Sequence, residues 1–368
     1  MIYLDHAATS PVRREVLEAM WPFLTSEYGN PSSSHALGGS AGRALEQARG
    51  RVAGFLGGRA SETFFTSGGT ESINTAVKGI ALGDPRGRHL VVSAIEHEAT
   101  AESADFLRRM HGFEVSVAPV ASDGRLDLDA LAALLRPGTA LVSVMAASNE
   151  IGTVQDVPAI AALCREHRIP LHVDAVQAAG WIDLPALGAD AVSISGHKLG
   201  APKGVGALML RSRLPFEPLV HGGGQERARR SGTENVAFAV ALGAAVGLVD
   251  PARAPRVAAV RDAFAARVAA TVPRAVALGA AEHRPPSIAS FVVPGRSGES
   301  ILLALEERGV VVSSGSACAA GRDEPSATLL ALGLEPAVAQ TAVRFSFGEE
   351  STAADAERAA SAFASVAV

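Results

Sequence analysis

The chain has 368 residues, a formal net charge of −5, and 48% hydrophobic against 19% charged residues. That length predicts a large core split over two domains, and the mildly acidic balance offers nothing to attract nucleic acid. Two cysteines, Cys164 and Cys318, make no disulfide framework, which predicts a reducing cytoplasm; the N-terminal text shows no signal peptide and no apolar run is long enough for a bilayer.

The first 60 residues carry no pattern that assigns them to a layer. From about 60 to 250, short apolar runs alternate with helical patterns. Strands are predicted at 63–66, 89–94 (HLVVSA), 140–147 (ALVSVMAA), 169–175 (IPLHVDA), 191–195 (AVSIS) and 205–210 (VGALML). Helices are predicted at 98–110 and 156–168. This alternation predicts an α/β fold whose mostly parallel sheet is flanked by helices. A Pro-rich break at 249–256 precedes strands at 287–293 and 342–348, a helix at 299–309 and a last Ala-rich helix. They predict a smaller α+β domain. The expected division is 15–250 for the large domain, and 1–14 with 251–368 for the small one.

Ligands of open α/β sheets sit beyond the carboxyl ends of the strands. Chemistry-bearing residues follow five strands in succession: SGGTES (67–72), Glu96-His97, Asn149-Glu150, Asp174 with Gln177, and Gly196-His197-Lys198. Two glycines opening a helix at Gly69 and Thr70 could cradle a phosphate or be an ordinary cap. Asp174 could meet a pyridinium N–H or act as a cap. Lys198, placed at a strand end, could serve as a Schiff-base nucleophile, whereas Lys203 in APKGVG is expected in solvent. Together a phosphate cradle, an acid for a ring nitrogen and such a lysine describe a pyridoxal phosphate site. No histidine spacing suggests zinc or another metal.

Cys164 falls on one helical face with Val157 and Ile160 and is expected in the core. Cys318 stands in VSSGSACAAGRDEPS among small residues, which predicts an accessible thiol on a poorly ordered loop over 313–323. Arg344, inside AVRFSFG, requires a carboxylate from the protein or from a substrate.

The chain resembles the cysteine desulfurases of the NifS/IscS type, in the class V aminotransferases of PLP fold type I. The matching text is YLDHAAT (3–9), YGNPSSSH (28–35), FTSGGTES (65–72), EHEA (96–99), NEIGTVQ (149–155), HVDAVQ (172–177), SISGHKLGAPKGVGAL (193–208), HGGGQER with RSGTENV (221–236), SSGSAC (313–318) and RFSFG (344–348). The resemblance implies that Lys198 binds the cofactor covalently and that His97 stacks on its ring as an acid/base. Asp174 then takes the ring nitrogen and Gln177 the phenolic oxygen. Gly69, Thr70, Ser195 and His197 hold the phosphate, and Thr233 reaches a phosphate across a homodimer. Asn149 lies at cofactor and substrate and, with Arg344 and Asn30, orients the substrate carboxylate. Cys318 takes the sulfur as a persulfide for an acceptor protein.

The chain ends one helix after RFSFG, where members serving the iron–sulfur scaffold often continue, and AAGRDEPSATLLALG is charged differently. The acceptor therefore stays open among iron–sulfur assembly, tRNA thiolation, DNA phosphorothioation and biosynthesis. The alternatives are a selenocysteine lyase, another class V aminotransferase, and a silent scaffold.

Overall fold

Runs of β-branched and aliphatic residues become the strands of a seven-stranded sheet, a three-stranded sheet and a two-stranded pair. The structure, a computed structural model, describes residues 1–83, 86–314 and 325–367. Its strands are β1 (Ile2–Tyr3), β2 (Thr63–Thr66), β3 (His89–Ser93), β4 (Glu114–Ala118), β5 (Thr139–Met145), β6 (Leu171–Asp174), β7 (Ala191–Ser195), β8 (Gly206–Leu210), β9 (Val276–Ala277), β10 (Ile288–Val292), β11 (Val310–Val311) and β12 (Ala342–Ser346).

Seven of these form the larger sheet, in the order β2-β8-β7-β6-β5-β3-β4. Pairings among β7, β6, β5, β3 and β4 are parallel. β8 runs antiparallel to both of its neighbours. The stretch from Gly196 to Val205 that leads into it is too short for the crossover a parallel strand needs. Every residue of β3, β5, β6, β7 and β8 is buried, as expected of a sheet covered on both faces. Alternate residues of β3 show the two faces. Leu90 and Val92 meet Ile73, Val77 and Leu107 from the helices Gly69–Gly83 and Glu98–His111. Val91 belongs to the opposite core, with Val52, Ile160 and Leu242 of Ala36–Phe55, Val157–Glu166 and Val236–Gly247. The helix 36–55, which the sequence left unassigned, thus completes that layer.

The second sheet has the order β12-β10-β9 and is antiparallel. The helices Arg253–Thr271 and Ala353–Ala367 cover it. Phe264 is at the centre of that core, with ring centroids 4.5 Å from Phe345 and 5.4 Å from Phe347. β1 pairs in parallel with β11, and Ser346 N–H donates to Leu4 O at 2.7 Å. The N-terminal segment is thereby held against the smaller sheet, from where it runs toward the ends of β6 and β7. β1, β4 and β9 were not expected from the sequence. Among the described residues, no helix is long and apolar enough to cross a membrane.

Candidate active site

A cavity of about 290 Å³ opens beyond the carboxyl ends of β5, β6 and β7. Each of these strands ends on a residue that lines it: Met145, Asp174 and Ser195. Gly69, Thr70, His97, Asn149, Asp174, Gln177, Ser195, His197, Lys198 and Arg344 all line this cavity.

Lys198 Nζ donates to the carbonyl oxygens of Ala7 and Ala8, the latter at 2.8 Å. Gln177 Nε2 donates to Ala7 O at 2.7 Å. The N-terminal segment therefore supplies two acceptors at the heart of the site. Asp174 is 5% exposed and accepts from the Val176 N–H at 2.9 Å. Burial raises its carboxyl above the usual range, while that N–H, His97 and Lys198 pull it back.

His97 caps the helix that follows β3, its Nδ1 accepting from Ala99 N–H at 3.0 Å. That bond assigns the ring proton to Nε2 in the neutral form. His197 Nδ1 lies 3.2 Å from Thr9 Oγ1. Burial, then Lys198 and Lys203, bring its imidazole down to about 4, so it is neutral near pH 7. Arg344 donates from Nη1 to Asn149 O at 2.9 Å and from Nη2 to Asp5 Oδ1 at 2.8 Å. Its carboxylate partner inside the protein is thus Asp5, a choice the sequence left open.

Gly69 begins the helix Gly69–Gly83. A Cβ there would stand 2.8 Å from Val176 Cγ2 and 3.3 Å from Ser195 Cβ. Only a glycine lets this helix start come so close to the strand ends.

Two expected residues lie elsewhere. Asn30 is exposed in a loop, where its Oδ1 accepts from Ser32 N–H at 2.9 Å. Thr233 is exposed and lines a separate cleft with Ser67 and Arg230. Cys318 falls outside the described residues, as does the expected loop apart from residues 313 and 314. Ser313 exchanges backbone hydrogen bonds with Arg344, at 3.2 and 2.7 Å. Ser326 Oγ donates to Glu150 Oε2 at 2.5 Å. Both described flanks of the Cys318 segment are thus tied beside the cavity. Cys164 is buried, and burial pushes its thiol up to about 12.

The sequence reading gave no role to Asp5, Ala7, Ala8, Glu96 or Glu150. Glu96 follows the end of β3 by three residues and Glu150 follows the end of β5 by five, so both fall among the polar groups at the strand ends. The two alanines contribute backbone carbonyls and so leave no side-chain signal.

A family model described as "Aminotransferase class-V" matches residues 2–359. The "Cysteine desulfurase IscS" of Dictyoglomus turgidum is 42% identical over 360 residues, covering 96% of this chain and 91% of the relative. Among solved structures, a NifS-like protein superposes with a TM-score of 0.92 at 35% identity, covering 99% of this chain and 98% of its own. SspA, solved in complex with cysteine, gives 0.84 at 33% identity, covering 94% and 99%.

Proposed function

The chain belongs to the class V aminotransferases, and from that premise we propose that it is a pyridoxal phosphate-dependent cysteine desulfurase, converting L-cysteine to L-alanine and passing the sulfur to Cys318. One observation carries the reading: Lys198, Asp174 and Arg344 line a single cavity with His97 and Gln177.

The residues present fit the cofactor. The first bond of the helix runs from Ser72 N–H to Gly68 O at 3.0 Å, so the N–H groups ahead of Ser72 have no intrahelical acceptor and, with Thr70, Ser195 and His197, would hold its phosphate. Asp174 has one backbone donor in a dry setting, which suits a pyridinium N–H. His97 would lie on the ring face, Gln177 and Asn149 at its polar edge, and Lys198 would hold it covalently. Thr233 would serve the phosphate of a second copy in a homodimer. Bound there, pyridoxal phosphate supplies an electron sink for the carbanion formed at the substrate Cα.

The protein's own groups do the rest. Arg344, its fork already fixed by Asp5 and Asn149, would orient the substrate carboxylate with Asn149 and Asn30. Lys198 Nζ would carry the Cα proton, with His97 as a second acid/base. The Cys318 thiolate would attack the substrate Sγ, forming an S–S bond as Cβ–Sγ breaks. The bonding pair stays with the carbon side, which takes up a proton and leaves as alanine. Cys318 is left as a persulfide, to be relieved by an acceptor protein. The larger domain (15–250) would hold the cofactor, and the smaller (1–14 and 251–368) would bring Cys318 to it.

Lys198→Ala tests this. Alanine formation from L-cysteine should fall by about a thousandfold or more, the scale on which positioned proton transfer contributes. Bound cofactor should also become removable by dialysis. Activity within about tenfold of wild type would overturn the assignment of Lys198.

A further inference from the structure

Glu96 is a buried acid that the reaction above does not use. It follows β3 and directly precedes His97. Its Oε1 accepts from Ser93 Oγ at 2.5 Å and from Met145 N–H at 2.8 Å. Met145 ends β5 and stands in register with Asp174 on β6. The carboxyl thus ties the turn bearing His97 to the strand beside Asp174.

The other oxygen, Oε2, has no solvent contact and no hydrogen-bond partner, and the same holds for Thr100 Oγ1. Thr100 is near enough to favour the ionised acid, without reaching hydrogen-bond geometry. The donors to Glu96 are a hydroxyl and an amide, and no cation pairs with it among the described residues. The charged group that acts on it is Asp174 on β6, which itself has His97, next to Glu96 in the chain, and Lys198, after β7, beside it. The last two favour the charge on Asp174. Two neighbouring acids in a dry site do not both ionise, and the one with cations beside it takes the charge. Burial, with the Asp174 charge adding to it, pushes the Glu96 carboxyl up to about 8.

We propose that Glu96 is a positioning residue that works as a neutral acid, leaving the single negative charge on Asp174 while it braces the turn that presents His97. The role of that brace rests on the cofactor reading above; the retention of the proton does not.

The test compares the full-length wild type, Glu96→Gln and Glu96→Ala, each reconstituted with pyridoxal phosphate. Retained cofactor is read by absorbance against free cofactor, and thermal midpoints are read from pH 5.5 to 9. Glutamine imitates a neutral acid, so E96Q should bind within about threefold of wild type at pH 7, whereas E96A, which loses a buried hydrogen-bonded brace, should bind at least about tenfold more weakly.

The proton gives an independent signature. Between pH 4.5 and about 8 the folded wild type keeps a proton that the unfolded chain has released, so its stability falls as pH rises. Glutamine has no such proton. The E96Q midpoint should therefore gain on wild type up to about pH 8 and then run level. Cofactor loss in E96Q as severe as in E96A, or a midpoint difference constant across the range, overturns the proposal. Failure of the wild type itself to retain pyridoxal phosphate overturns the cofactor reading, and the midpoint series then still decides whether Glu96 holds its proton.

Discussion

Arg344 is 1% exposed on β12, and its guanidinium meets Asp5 from the N-terminal segment and the carbonyl of Asn149 after β5. A planar fork satisfies several acceptors in fixed directions; an ammonium is a point charge. Arg344→Lys should therefore raise KM for L-cysteine by about tenfold to a hundredfold, with a smaller change in kcat, as expected for loss of a charge-assisted pair. Steady-state kinetics read this directly, and an unchanged KM would remove Arg344 from substrate binding. The sequence could show that Arg344 needed an acid but not which one, because Asp5 is 339 positions away. Asp174 and Lys198 were legible because each ends or follows an apolar strand. Glu96 is marked in the sequence by its place after β3 beside His97, but its partners, Ser93 and Met145, are visible only in the fold.

Three adjacent strands carry most of the site, and a buried histidine fastens them together. His172 on β6 has Nδ1 2.8 Å from Ser143 Oγ on β5 and Nε2 2.9 Å from Ser193 Oγ on β7. Burial lowers its imidazole to about 3. The unfolded chain takes up a proton near pH 6.5 that the folded chain refuses until about 3, so stability is lost as pH falls through that window. The loss is at most about 1.4 kcal/mol per pH unit. His172→Gln should cut the drop in urea midpoint between pH 7 and pH 4.5; an equal drop in both proteins would contradict the assignment. β5, β6 and β7 are readable as short, mostly apolar runs, each broken by a single small or polar residue at Ser143, His172 and Ser193. The antiparallel sense of β8 is not, since direction depends on the length of the connection and not on the composition of the strand. β1 is two residues long and pairs with β11 some 300 positions later, so no local pattern marks it.

Across the whole molecule, the N-terminal segment connects the two layers. It pairs with the smaller sheet through Leu4 and Ser346, then gives the carbonyls of Ala7 and Ala8 to Lys198 beside the larger one. The Cys318 segment is flanked from the same side, by Ser313 against Arg344 and by Ser326 against Glu150. In the proposed reaction both layers serve the substrate, the larger through Lys198 and Asp174 and the smaller through Arg344. Periodicity predicted the layers, but their contacts join residues hundreds of positions apart, and only the folded chain shows where they meet. The central claim is that Cys318 takes the sulfur. The direct measurement is alanine formed from L-cysteine with a reductant, for the wild type and Cys318→Ala side by side, both loaded with pyridoxal phosphate. Alanine is expected from the wild type, very little from the variant, and a persulfide on the wild-type thiol only. Equal alanine from both proteins would contradict that claim and favour a route in which no protein thiol attacks the substrate sulfur.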